Sequence, residues 1–213
     1  MSRPARVSPD QILAVAALEF AERGFAGARV DRIARRARVN KAMLYYHFGS
    51  KQHLYRTLLR TTFAQAAAAL DKIAGSAEPP AAKLDAAIAA LGTFVATHTF
   101  FPGIMLREVI EGGTHLDAET LAALSAVPRA FGAIVEAGVA RGSFRRIHPL
   151  TAYFTTIAPI MMFVASTPVR KQLSSRRLVA AGASALTLDT FVRDLQESLR
   201  RAFAASPTAG DRS

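Results

Sequence analysis

Apolar residues recur along this chain in steps of three and four, the period of helices packed on one face. Ile12, Leu13, Ala16, Ala17 and Phe20 form the first stripe. Ser8-Pro9-Asp10-Gln11 predicts its start: Ser8 caps, Pro9 suits the first helical position, and Gln11 completes a capping box. Gly24 predicts its end. Val30, Ile33, Ala34 and Ala37 give a short second helix, interrupted by Arg38-Val39-Asn40. Asn40 is a competent cap for a third short helix, Lys41 to about Phe48. Gly49-Ser50 ends that helix, and Ser50 caps a longer one reaching about Ile73.

The loop Gly75-Ser76-Ala77-Glu78-Pro79-Pro80 follows. Leu84, Ile88, Leu91, Val95 and His98 make the next stripe. Pro102-Gly103 and Gly112-Gly113 bracket a short helix around Met105 to Ile110. Leu121, Leu124, Val127, Phe131 and Ile134 mark another, kinked at Pro128 and closed by Gly138 and Gly142. Leu150, Phe154, Ile157 and Met161 open a further helix, bent at Pro159 and ended by Pro168. Leu188, Val192, Leu195, Leu199 and Phe203 give an amphipathic last helix, and the tail after Ala205 reads as disordered. No strand alternation or fixed-period repeat is visible, so the fold class is all-α.

Composition narrows the function. With 51% hydrophobic and 20% charged residues among 213, the chain can bury a core, which excludes an intrinsically disordered protein. Cysteine is absent, excluding disulfides, thiolate metal sites and a Cys nucleophile and fitting a reducing compartment. The N-terminus lacks the apolar run of a signal peptide. Two uncharged runs, 86–106 and 147–169, are long enough to span a bilayer, but their Thr, His, Ser and Pro content favours buried helices and no membrane partner. The formal charge is +11, unevenly placed: residues 1–60 carry 12 basic and 4 acidic side chains, net +8, and the remainder is net +3. Such asymmetry suits an N-terminal segment meeting a polyanion, or simply a soluble basic surface.

Residues 28–54 decide between these. Two short helices joined by a tight turn form a helix-turn-helix pattern, whose second helix fits the major groove of DNA. Leu44 and Phe48 can pack on Ile33, Ala34 and Val39, which leaves Lys41, Ala42, Tyr45 and Tyr46 pointing elsewhere. Gly24-Phe25, Val30-Asp31-Arg32-Ile33-Ala34, Ala37-Arg38-Val39-Asn40-Lys41, Leu44-Tyr45-Tyr46-His47-Phe48, Ser50-Lys51 and Leu54 carry a specific resemblance. In these positions residues 8–54 resemble the N-terminal domain of the TetR family of bacterial transcriptional regulators. The close resemblance covers about a quarter of the chain; the rest is similar in length and helical pattern.

The resemblance implies a helix-turn-helix DNA-binding head over 1–52, a helical effector-binding and dimerisation domain over 53–205 and a tail at 206–213. It implies that Lys41 and Ala42 face base edges, with Met43 and Tyr46 nearby. Lys41 would donate to guanine O6 and N7, and Ala42 or Met43 would touch a thymine methyl. Tyr45, His47 and Lys51 would hold phosphates, and Asn40 would cap the recognition helix. Two departures stand out. Ala28-Arg29 replace the family's small hydroxyl at the start of the second helix, so a cap is lost and Arg29 is offered to a phosphate. Arg38 stands where the family commonly has Gly, at a steric cost of about 1 kcal/mol if its backbone is left-handed. Tyr45 also reads as a core residue, His47 as a plain exposed one, and Arg32, Arg35 and Arg36 as a general positive field.

For the remainder, the resemblance implies a homodimer through the last two long helices, about Leu150–Thr167 and Thr187–Ala204. An intramolecular core would use the same apolar faces. It also implies a pocket for a small hydrophobic effector, with Phe94, His98, Phe101, Met105, Phe131, Tyr153, Ile157 and Met161 as candidates for lining or core. The partner would be a palindromic operator in double-stranded DNA, the usual action repression released by the effector, and the compartment the cytoplasm. A nonspecific DNA-coating protein and a helical small-molecule binder without DNA readout are the alternatives. No Gly-rich phosphate loop, zinc-binding His-Glu motif or Ser elbow is present, so no catalytic residue or cofactor is expected. Glu108 and Glu111, with His98 and His115, offer metal-ligating groups but match no regular ligand spacing; the two carboxylates read better as surface residues of a short helix, so no metal is expected either.

Overall fold

The computed structural model describes residues 8–179 and 185–205; the tail expected at 206–213 lies outside the described residues. Ten helices occur among them: α1 Pro9–Gly27, α2 Val30–Arg36, α3 Lys41–Phe48, α4 Lys51–Ala74, α5 Pro80–Thr97, α6 Phe101–Ile110, α7 Ala118–Ala140, α8 Pro149–Ala165, α9 Thr167–Ser175 and α10 Leu188–Phe203. They fall into two compact units. One holds the described residues up to Phe63 together with Thr99–Leu124; the other holds Ala64–His98 and the described residues from Ser125 onward. The first unit is therefore larger than the 1–52 head, because α6 folds with it.

In the first unit α1 packs on α2 and α6, and α2 on α3. The Ser8 capping box forms with both of its hydrogen bonds. Gly24 adopts φ +68°, breaks the regular helix, and receives the Arg107 side chain over its Cα. A Cβ there would lie 3.2 Å from Arg107 Nη1. Ile12, Ala16, Phe20, Ile33, Leu44, Leu54 and Leu59 are buried together in its core. Pro102 sits in the first turn of α6, where a missing N–H costs nothing, so this helix begins earlier than the Pro-Gly pair suggested.

In the second unit α10 packs on α5 and α8. Val192, Leu199 and Phe203, three of the five residues of the amphipathic stripe, are spent on this intramolecular core. Gly92 of α5 admits α10 closely: a Cβ there would meet Val192 Cγ2 at 2.8 Å. Gly138 of α7 lies under the Phe144 ring, and a Cβ would fall 2.0 Å from Phe144 Cδ2. Phe144 forms an isolated antiparallel bridge with Ala204, and Arg145 N–H donates to Phe203 O at 2.9 Å, so the end of α10 is tied down. On α8, Leu150, Phe154 and Met162 remain exposed.

Neither long uncharged run is one continuous helix. The first divides between Thr97 and Phe101, and the second bends by 50° between α8 and α9. Helix α7 is long and apolar enough to cross a membrane, at 23 residues and mean hydropathy 1.3 over its most apolar stretch. It nevertheless carries Glu119, Arg129 and Glu136, and buries Val127, Phe131, Ile134 and Val135 in the protein.

Candidate nucleic-acid interface

The recognition helix is positioned by its two ends. After α2 the chain turns through a Schellman motif: Val39 N–H donates to Ala34 O at 3.0 Å and Arg38 N–H to Arg35 O at 3.2 Å. The motif needs a left-handed residue, and Arg38 supplies it at φ +57°. Asn40 then accepts from Met43 N–H at 2.6 Å and caps α3. Ser50 caps α4 through His53 N–H at 3.0 Å.

Only Leu44 and Phe48 of α3 are buried. Lys41, Ala42, Tyr45, Tyr46 and His47 are exposed and Met43 is half-buried. Tyr46 is 85% exposed, and Tyr45 at 41% is no core residue. Lys41 Nζ lies 5.8 Å from the centre of the Tyr45 ring, and Tyr46 meets His47 edge to face at 5.4 Å. Asn40, Ala42, Met43, Tyr46 and His47 line an open hollow with Ser8 and Pro9. The helix thus presents one cation, two aromatic hydroxyls, an imidazole and small apolar groups to solvent. That mixture can reach base edges and phosphate oxygens.

Three basic residues have other work than expected. Lys51 donates to Ala28 O at 2.9 Å and Ala26 O at 3.3 Å, with Nζ 4.6 Å from the centre of the Phe25 ring. Its ammonium closes the end of α1 instead of standing open to a phosphate, and burial lowers its pKa. Arg32 and Arg36 are not background field: both reach Glu19, at 2.7 and 3.5 Å, and Arg36 also reaches Glu22 at 3.2 Å. Glu19 is 1% exposed and was missed in the sequence, although an acid within the apolar stripe of α1 was its signal. Its Oε1 also accepts from Arg29 N–H at 3.4 Å. It thereby serves the start of α2, where Arg29 makes no side-chain cap. The Arg29 guanidinium stays exposed beside Asp31 at 3.4 Å.

The eight pocket candidates are divided between the two units. Phe101 and Met105 are buried in the first unit, where Phe101 packs edge to face on Phe63 at 5.9 Å. The other six belong to the second unit. There Phe94 stacks on His98 at 4.5 Å, and His98 Nε2 lies 3.1 Å from Gln65 Oε1. Phe131 meets Tyr153 at 5.9 Å, and burial pushes the Tyr153 hydroxyl up to about 12. Ile157 is buried and Met161 half-buried. A groove between α5 and α10, lined by Gly92, Thr93, Val192 and Gln196, and a hollow around Phe163, Arg170 and Leu188 include none of the eight.

Glu108 is 2% exposed, so its reading as a surface residue is corrected. It accepts from Tyr55 Oη–H at 2.6 Å and lies 3.0 Å from His115 Nδ1. Glu111 Oε2 approaches the same nitrogen at 3.5 Å, while His98 lies in the other unit.

Comparison with known proteins follows the same lines. The family model described as bacterial regulatory proteins, tetR family, matches residues 12–58. The HTH-type transcriptional repressor NicS of Pseudomonas putida is 33% identical over 199 residues, covering 90% of this chain and 92% of its own. The chain belongs to the tetR family. The HTH-type transcriptional repressor SCO4008 of Streptomyces coelicolor is 41% identical over 58 residues, 27% of this chain and 30% of its own. In fold, this tetR-family protein is similar to the regulator PfmR of Thermus thermophilus (TM-score 0.68, 22% identity, 89% and 97% of the two chains covered). It is also similar to FadR of Bacillus halodurans (TM-score 0.65, 16% identity, 91% and 98% covered). The protein is thus a DNA-binding transcriptional regulator and not an enzyme.

Proposed function

We propose that this regulator is a homodimeric, sequence-specific repressor that reads a palindromic operator through α3 and leaves it when a small hydrophobic ligand binds the helical body. The exposed face of α3 carries this reading: Lys41, Ala42, Tyr45, Tyr46 and His47 stand clear of the core while Leu44 and Phe48 anchor the helix. Asn40 and Met43 complete the surface, with Arg29 at the start of α2 reaching a phosphate. In the cytoplasm such a helix meets duplex DNA directly.

A single short helix reads few bases, and two copies double the footprint. The exposed Leu150, Phe154 and Met162 of α8 support α8, together with α10, as the dimer face. The aromatic pairs Phe94 with His98 and Phe131 with Tyr153 support a hydrophobic effector in the second unit. Such an effector acts only through a preference for one of two conformations. Genomic footprinting tests the proposal. Discrete protected palindromes are expected, and diffuse coverage would instead point to a DNA-coating protein.

A further inference from the structure

Glu108, Glu111 and His115 bring one donor atom each to within 4.8 Å of one another. His115 Nδ1 lies 3.0 Å from Glu108 Oε1 and 3.5 Å from Glu111 Oε2. One imidazole nitrogen carries at most one proton, so it cannot donate fully to both carboxylates. Glu108 Oε2 is buried and has no hydrogen-bond partner. A buried carboxylate oxygen without a donor is costly, and a cation removes that cost. Donors about 2.0–2.2 Å from a common ion in tetrahedral array stand roughly 3.4 Å apart, close to the two spacings from His115 Nδ1.

We propose that Glu108, Glu111 and His115 form a binding site for a divalent first-row transition-metal cation, with Zn2+ as its probe. Two carboxylates and a neutral imidazole offset a charge of two, and imidazole favours such ions over Mg2+. Glu108 and Glu111 are brought together by the closing turn of α6, and His115 by the Gly112-Gly113 turn beyond it. The His115 ring packs on Phe25 at 4.3 Å, and Phe25 lies beneath the Lys51 ammonium. A bound ion therefore fixes the seat of the turn between α1 and α2. The site uses residues of the first unit alone and does not depend on how DNA is read.

The test is titration of EDTA-stripped, dialysed full-length protein with Zn2+, followed by calorimetry and thermal melting. One ion per chain and a raised melting midpoint are expected. Glu111→Gln keeps the fold, because the side chain is half exposed, and it should weaken binding at least tenfold. His115→Ala should do the same, while His148→Ala, at the start of α8, should not. Absence of a stoichiometric site overturns the proposal, as does undiminished binding in both Glu111→Gln and His115→Ala.

Discussion

The buried carboxylate of Glu19 accepts from Arg32 Nε at 2.7 Å, joining the first helix to the second across thirteen residues of sequence. The same oxygen accepts from Arg29 N–H, and the other oxygen faces Arg36. Glu19→Ala leaves two guanidinium groups and a helix start without their acceptor. The expected loss is about 2 kcal/mol, below a fully buried pair because both arginines are partly solvated. Urea unfolding measures it. A loss no larger than that of Glu22→Ala would remove Glu19 from this role.

Lys41 and Lys51 should separate cleanly. Lys41→Ala is expected to weaken operator binding by about 1–3 kcal/mol and random DNA much less. Lys51→Met loses two carbonyl hydrogen bonds at the end of α1 and should lower stability by about 1 kcal/mol. Gel shifts on both DNAs, with urea melts of both variants, check the pair. Equal effects of Lys41→Ala on the two DNAs would count against base readout.

Arg38 holds a left-handed backbone at the Schellman turn. Arg38→Gly should stabilise the protein by about 0.5–1 kcal/mol, the steric relief exceeding the extra chain entropy of glycine. A melting midpoint at or below that of the wild type would contradict the strain.

Asp117 caps α7, accepting from the Thr120 hydroxyl at 2.6 Å and Thr120 N–H at 2.9 Å, and pairs with Arg56 at 3.2 Å. The Thr120 bonds, then the arginines, hold its pKa below 3.8. The folded carboxylate thus takes up its proton later than the unfolded one as pH falls. Its stabilisation is complete above 3.8 and lost as pH drops through the lower folded value. Asp117→Ala should be less stable than the wild type at neutral pH, the gap narrowing in acid. Unfolding curves from pH 7 to about 2.5 measure it, and a constant gap would refute the assignment.

Local chemistry was legible where it was local. The Ser8 and Asn40 caps depend on neighbours three residues on and are readable from the sequence, whereas only the resemblance marks Arg38 as a place for a left-handed backbone. Glu19 and Lys51 depend on partners at least ten residues away, and Glu108 on Tyr55 and His115, so the sequence showed their charge but not their use. Helix α9 escaped because it buries no residue and so leaves no apolar stripe. Most of the pocket candidates are apolar, a property that core and cavity share. That is why Phe101 and Met105 turn out buried in the first unit while their six companions lie in the second.

The inward use of charge has a consequence for how the head meets DNA. Of the 12 basic residues in positions 1–60, Arg32, Arg36, Arg56 and Arg60 pair with acids and Lys51 is held by carbonyls, while the exposed Arg29 meets only the exposed Asp31. Ions condensed along a duplex are displaced by cations that reach phosphates, not by those neutralised within the protein. Among the described residues Arg23, Arg35, Arg38 and Lys41 enter none of these pairs, so the count of small cations released on binding should follow these positions and the exposed Arg29. Nearly half of these cations are mortar for the protein, and its grip on the double helix rests on the others.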